Sequence, residues 1–310
     1  MKYNCVQDVK LSLFSLGTVQ LGMNYGVNNA TGKPDREQAI EILNAAAAQG
    51  VNSLDTSIGY GDSELIIGDW LRTVPEERRP MIVTKVDQMD HSSKNALRKS
   101  VRKSLEISKA RLGLERIPLL MIHDYRNYER NPEEVNQVFE ELRASGDIER
   151  WGISAYSHHD YRVLADSSAD AVQIPQNIFD WKQIQNGGLS ALEASGKIVF
   201  VRSVYLQGLV FMDPDRLRPE MQFAAQVIRK FRGFCKAFQL EPAVLAMSFV
   251  LSLPGISSLV LGCESRAQVA ANATLIEKTV RLTDEQMNQV REAFEDVDPH
   301  VTNPGTWYNA

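Results

Sequence analysis

Short apolar runs alternate with longer amphipathic segments along this chain from about residue 35 to about residue 275. In DREQAIEILNAAAAQG (35–50), Ile40, Leu43 and Ala47 recur at intervals of three and four, which places one apolar face on a helix, and Gly50 supplies its stop. The run VNSLDT that follows reads as a short strand. The same alternation predicts helix 62–72 before strand 80–85, helix 92–111 before strand 117–123, and helix 132–145 before strand 150–155. With further apolar runs, the strand candidates number eight: 14–18, 51–55, 80–85, 117–123, 150–155, 171–175, 197–203 and 257–262.

Strands separated by helices need crossover connections, and these run right-handed and leave the strands parallel. Eight such units predict an α/β fold of the closed (β/α)8 type, a TIM barrel. A doubly wound open sheet is the alternative, but no G-x-G-x-x-G follows the first strand. No linker rich in Pro, Gly or Ser divides the chain, so residues 1–310 are expected to form one barrel domain, with 283–310 as a C-terminal helix and tail. The last stretch, DPHVTNPGTWYNA (298–310), has two prolines and no period. It is expected to help form the substrate pocket through Trp307 and Tyr308, or else to anchor itself on the barrel exterior through those rings.

Composition narrows the partners. A formal charge of −5, with 44% hydrophobic and 24% charged residues, gives no basic surplus for nucleic acid. The three cysteines, Cys5, Cys235 and Cys263, are far apart and in no metal-binding spacing, which fits a reducing cytoplasm and predicts neither a disulfide framework nor a zinc site. The opening MKYNCVQDVKLSLFSLG carries Asp8 and Lys10 beside a short apolar run, so neither a secretory leader nor a membrane span is expected.

Functional groups of a parallel barrel gather at the C-terminal ends of its strands. Four polar residues fall there in the first half of the chain: Asp55 and Tyr60 after the second strand, Lys85 ending MIVTK, and His123 ending LLMIH. A tyrosine is a weak acid, with an ordinary pKa of about 10, and a neighbouring ammonium lowers that value. Lys85 is a candidate for that ammonium, Asp55 for its counter-charge, and His123 for the group that orients a carbonyl oxygen or relays its proton. Each has a plain reading as well: Asp55 as a turn cap, Lys85 as a rim residue that snorkels, His123 as a satisfied core histidine.

The stretches DTSIGYGDSELIIG (55–68), MIVTK (81–85), LLMIHDY (119–125), RWGISAY (150–156) and VLGCESRAQVAAN (260–272) resemble, in order and spacing, the successive signatures of the aldo-keto reductase superfamily. The resemblance implies a (β/α)8 barrel that binds NAD(P)H without a Rossmann domain, and a catalytic tetrad at Tyr60, Asp55, Lys85 and His123. Gly59 and Gly61 would then let the turn bring Tyr60 up beside the cofactor. It implies further that Ser154 and Gln173 hold the nicotinamide carboxamide, although Ala155 replaces the asparagine usual after that serine. In VFVRSVYLQGLV (199–210), similar to the loop that runs along the cofactor, Arg202 stands where an aromatic ring commonly stacks.

By the same resemblance Gly17, Thr18, Ser203, Gln207, Gly262, Ser265, Arg266, Gln268 and Asn272 are cofactor contacts. Ser265 and Gln268 read as a capping box whose helix N-terminus would face a 2′-phosphate, with Arg266 as its cation and Glu264 opposing it. NADPH is therefore the expected cofactor, with NADH also used. The stretches LGTVQLGMNYGVNNATGK (16–33) and RSVYLQGLV (202–210) resemble a bacterial subgroup found with sugar and polysaccharide biosynthesis, which implies a sugar-like carbonyl as substrate. A cofactor-binding regulatory subunit of the same fold, and a lyase or isomerase using Lys85 as a Schiff base, are the alternatives.

Overall fold

The computed structural model describes residues 1–25 and 32–307; residues 26–31 of the stretch LGTVQLGMNYGVNNATGK, and Tyr308, lie outside the described residues. The chain begins with an antiparallel hairpin, β1 (Tyr3–Val6) and β2 (Val9–Ser12), turning at Gln7 with φ +53°. The barrel strands follow: β3 (Phe14–Gly17), β4 (Ser53–Asp55), β5 (Met81–Val86), β6 (Ile117–Ile122), β7 (Ile148–Ser154), β8 (Ala171–Pro175), β9 (Ile198–Arg202) and β10 (Ser258–Gly262). They pair in parallel in sequence order and close between β10 and β3. All eight strand candidates are present, with ends that differ from the expected ones by two residues or fewer.

The strands are apolar because helices cover them outside and side chains fill them inside. Every residue of IPLLMI in β6 is buried except the half-buried Pro118. At the N-terminal end of the barrel the interior is filled by Val83, Leu119, Met121, Ala171, Ile198 and Phe200, and the hairpin closes that end by adding Leu11 to the same cluster. Its strands have four residues each, with Asn4, Lys10 and Ser12 interrupting the apolar positions, too little period for the hydrophobic pattern to reveal.

The helix Arg36–Ala48 starts from a capping box between Asp35 and Gln38 and ends before Gly50, whose φ of +80° is the left-handed stop. Its inner face differs from the expected one. Ala39, Ile42, Leu43 and Ala46 are buried, whereas Ile40 is half-buried and Ala47 exposed. The buried set keeps the i, i+3, i+4, i+7 spacing, but a run of four alanines carries too little hydrophobic contrast to phase the helix from sequence.

Among the described residues no single helix is long and apolar enough to cross a membrane. The C-terminal stretch forms two short turns, Pro299–Thr302 and Pro304–Thr306. Trp307 is buried; its Nε1 donates to the His300 carbonyl at 2.9 Å and its ring packs on Phe223. That ring acts as an anchor for the tail and is closed off from solvent.

Candidate active site

Asp55 ends β4 and Lys85 is the last residue but one of its neighbour β5, so adjacent parallel strands deliver the two side chains to the same end of the barrel. Lys85 Nζ donates to Asp55 Oδ1 at 2.6 Å and to the Thr56 carbonyl at 2.9 Å, with both side chains buried. The ammonium lies 5.1 Å from the centroid of the Tyr60 ring. His123, just past β6, meets the same ring edge-on at a centroid distance of 5.7 Å. The four residues singled out in the first half of the sequence therefore form one cluster.

The glycines around Tyr60 have a steric reason. Gly61 has φ +54°, and a methyl group there would come within 2.3 Å of the Gly22 carbonyl oxygen. A methyl on Gly22 would sit 1.7 Å from the Tyr60 carbonyl oxygen, so Gly22 and Gly61 pack backbone on backbone beneath the phenol. A methyl on Gly59 would meet Oδ2 of Asp87 at 2.0 Å. Helix Ser63–Leu71 then fixes the far end of the turn. Ser63 Oγ bonds Thr18 and Thr56, and buried Glu64 accepts from Thr84 Oγ1 at 2.6 Å.

Burial is the largest influence on the Tyr60 phenol and pushes its pKa above the ordinary value; the Lys85 charge pulls it down and Asp55 pushes it back up. The expected lowering by Lys85 is thus real but outweighed in the protein alone, because the phenolate is poorly solvated there. For Lys85, burial works to lower the pKa, yet the charge of Asp55 and its hydrogen bond outweigh it, and the net direction is up. The ammonium therefore stays charged beside the phenol.

The residues assigned to the cofactor fall into two neighbouring groups. Ser154 pairs with Gln173 across β7 and β8, and Pro175 pairs with Arg202 across β8 and β9. Gln173 Nε2 donates to Asp55 Oδ1 at 2.6 Å, so its amide NH2 is taken by Asp55 while its Oε1 stays out of that bond. Arg202 donates to the Ala155 carbonyl and stacks its guanidinium 4.6 Å from the Tyr156 ring centroid. The loop beyond it holds Ser203, Leu206 and Gln207 at φ +64°, +47° and +51°, a run of non-glycine left-handed residues of the kind that marks ligand-binding loops.

In the second group Gly17 of β3 pairs with Gly262 of β10. Thr18 is fully buried, its hydroxyl donating to the Asp55 carbonyl at 2.8 Å, so it holds the end of β4 in place. Ser265 caps the helix Arg266–Lys278, its Oγ accepting from Gln268 N, but the Gln268 side chain reaches back to Glu264 N rather than Ser265 N, so the box is displaced by one residue. Asn272 is held between Cys263 Sγ and Tyr205 OH. Arg266 is exposed and makes no ion pair among the described residues, Glu264 included. An uncommitted guanidinium at the N-terminus of a 13-residue helix fits a phosphate group.

Three contributors escape a reading of strand ends alone. Asp87, two residues past Lys85, shares an oxygen with His123 Nδ1 and accepts from Ser57 Oγ at 3.2 Å. The period-two alternation of a strand carries that signal, since it puts residues 85 and 87 on one side. Beside His123 opens a cavity of about 370 Å³, lined by Asp87, His123, Asp124, Arg126, Tyr156, His158 and His159. Arg126 is held by Asp124 in a forked ion pair, and burial with the nearby His158 pushes the His159 imidazole down to about 4.

The family model described as the aldo/keto reductase family matches residues 14–295. The NADH-specific methylglyoxal reductase of Escherichia coli K12 is 25% identical over 93% of this chain and 96% of its own. Among solved structures, aldo-keto reductase AKR11C1 from Bacillus halodurans in its holo form superposes with a TM-score of 0.77 at 20% identity, covering 98% of this chain and 100% of that one. Glycerol dehydrogenase AKR11B4 of Gluconobacter oxydans superposes at 0.75 with 23% identity, covering 97% of both chains.

Proposed function

From the premise that this chain belongs to the aldo/keto reductase family and is an NAD(P)H-dependent oxidoreductase, we propose that it interconverts a hydroxylated, sugar-like carbonyl and the corresponding alcohol, with Tyr60 as general acid and base. The observation that carries this reading is the buried Lys85 and Asp55 pair, 2.6 Å apart, directly beside the Tyr60 ring, with His123 on the ring's edge. A bound nicotinamide cofactor supplies the hydride. Tyr60 gives its phenolic proton to the carbonyl oxygen in reduction and takes a proton from the alcohol in oxidation. Lys85 stabilises the phenolate so formed, Asp55 and Gln173 fix Lys85, and His123 presents a ring nitrogen to the same oxygen.

The cavity beside His123 supports the substrate class. Its lining is made of carboxylates, imidazoles, a guanidinium and a phenol, so a hydroxylated substrate finds hydrogen-bond partners there beside the apolar faces of the rings. NADPH with a modest preference, and real use of NADH, is the cofactor assignment that the exposed Arg266 and its neighbour Glu264 support. The single barrel domain and a cytoplasmic setting, the latter in keeping with three free cysteines, belong to the same reading. Oxidation of NADPH and NADH, followed at 340 nm over a panel of sugars, small aldehydes, ketones and long-chain aldehydes, tests it. Turnover concentrated on hydroxylated carbonyls is the expected result, and a preference for long-chain apolar aldehydes overturns the substrate assignment.

A further inference from the structure

We infer that Asp87 is a positioning residue for His123: its carboxylate fixes the imidazole as the Nδ1–H tautomer and leaves Nε2 as the nitrogen that meets the reacting oxygen. The inference rests on the assignment of His123 to the catalytic cluster.

The carboxylate sits in a place made for it. Oδ1 meets His123 Nδ1 and also accepts from Ser57 Oγ at 3.2 Å. Ser57 Oγ is held in turn by the Gly59 N–H at 3.1 Å. Oδ2 occupies the space that the missing side chain of Gly59 leaves, since a methyl group there would approach it to 2.0 Å. Two residues of the catalytic turn, Ser57 and Gly59, thus accommodate one carboxylate from the segment just past β5. Both Asp87 and His123 remain part-exposed on the wall of the cavity, so the pair faces ligand as well as protein.

An ionised carboxylate only accepts hydrogen bonds, so the imidazole proton is at Nδ1. Nε2 makes no hydrogen bond among the described residues. In the neutral ring it carries a lone pair and receives a hydrogen bond from an alcohol, while in the protonated ring it donates one to a carbonyl oxygen. Without Asp87 the neutral ring is free to place its proton on either nitrogen. Carboxylates that orient a working histidine through the nitrogen away from the chemistry act in this way elsewhere, and their loss there costs about 10- to 100-fold in affinity or activity.

The test compares Asp87→Asn, Gly59→Ala and His123→Gln with the wild-type protein. Nitrogen-15 NMR of histidine-labelled protein, with the His123 signal identified by its loss in His123→Gln, reads the tautomer directly. The wild type is expected to show a protonated Nδ1 and a lone pair at Nε2. Asp87→Asn should redistribute the proton and lower kcat by about 10- to 100-fold with KM moved less than about threefold. Gly59→Ala, which pushes the carboxylate away without touching its charge, should give the same signature. Cofactor affinity, measured by quenching of protein fluorescence, should stay within about twofold in each variant, which separates the effect from loss of fold. A wild-type Nε2–H tautomer, or an Asp87→Asn protein with unchanged kcat while His123→Gln is impaired, overturns the role of Asp87 and leaves His123 in place. Full activity in His123→Gln instead overturns the catalytic assignment of His123 and the inference with it.

Discussion

The Lys85 ammonium is held 2.6 Å from the Asp55 carboxylate with both side chains closed to solvent, and Gln173 donates to the same carboxylate oxygen at the same distance. Removing one member of a buried pair leaves the other charge uncompensated, at a cost of about 3–5 kcal/mol. Lys85→Met and Asp55→Asn are each expected to lower stability on that scale, and the double variant to lose less than the sum of the two. Urea unfolding of the four proteins closes the cycle; strict additivity would refute the coupling.

On the proposed mechanism Lys85 also sets the pH at which the phenol works. Burial already raises the Tyr60 pKa, and Lys85 is the strongest influence pulling it down. Alcohol oxidation needs the phenol deprotonated as base, so its rate rises with pH through the phenol's pKa. Lys85→Met removes the lowering influence, and the rising limb of kcat for oxidation should move to higher pH. A limb that stays in place, or moves down, contradicts the assignment.

Tyr60→Phe keeps the ring packed beside Lys85 and His123 and deletes only the hydroxyl. Turnover should fall by about 10² or more while cofactor affinity is nearly unchanged. Activity within about threefold of wild type would exclude Tyr60 as the acid.

Cofactor preference is expected to reside at the exposed Arg266. NADPH should be favoured over NADH by about tenfold in kcat/KM at low ionic strength, equivalent to about 1.4 kcal/mol. Arg266→Ala should remove most of that ratio, and Glu264→Lys, which replaces a repelling charge by an attracting one, should enlarge it. A wild-type ratio in favour of NADH, or one untouched by Arg266→Ala, places the discrimination elsewhere.

One surface carboxylate should make stability depend on pH. Hydrogen bonds from Ser145 and Lys109 hold the Asp147 carboxyl down to about 2, with Arg102 helping. A depressed acid contributes stability above its ordinary pKa near 4, and the contribution is lost as pH falls toward 2. Asp147→Asn should therefore cost about 1 kcal/mol at pH 7, allowing for solvent screening, and almost nothing at pH 2. Equal losses at both pH values would show that the pairing energy is not electrostatic.

Most of the barrel strands were legible because they are compact apolar runs between amphipathic helices, as strands buried on both faces tend to be; β4, only Ser53-Leu54-Asp55, was legible from the helix and glycine stop before it. The cluster of Asp55, Tyr60, Lys85 and His123 was legible for a related reason: strand ends are where such a barrel exposes chemistry. The hairpin was hidden by its brevity, and the phase of the helix Arg36–Ala48 by its alanines. Gln173 was expected on the cofactor; that its amide NH2 also donates to Asp55 was not legible, because it depends on where an amide points and not on which residue it is. Trp307 was expected in the pocket, with an anchoring role as the alternative, and its burial decides for packing.

The seam that closes the barrel joins the beginning of the chain to its end: Phe14 to Leu259, and Gly17 to Gly262. At a synthesis rate of about 5–20 residues per second, the 262 − 17 = 245 residues between those glycines take about 12–50 s to appear. Through that interval β3 has its β4 neighbour but no β10, and the nascent sheet keeps an unpaired edge at each end, of the sort that recruits foreign strands. The Lys85 and Asp55 pair can assemble early on the ribosome, whereas Gly17 and Gly262 meet only once residue 262 has left the exit tunnel. Closure of the barrel is thus the last pairing the chain can make, and its exposure to aggregation lasts until that seam forms.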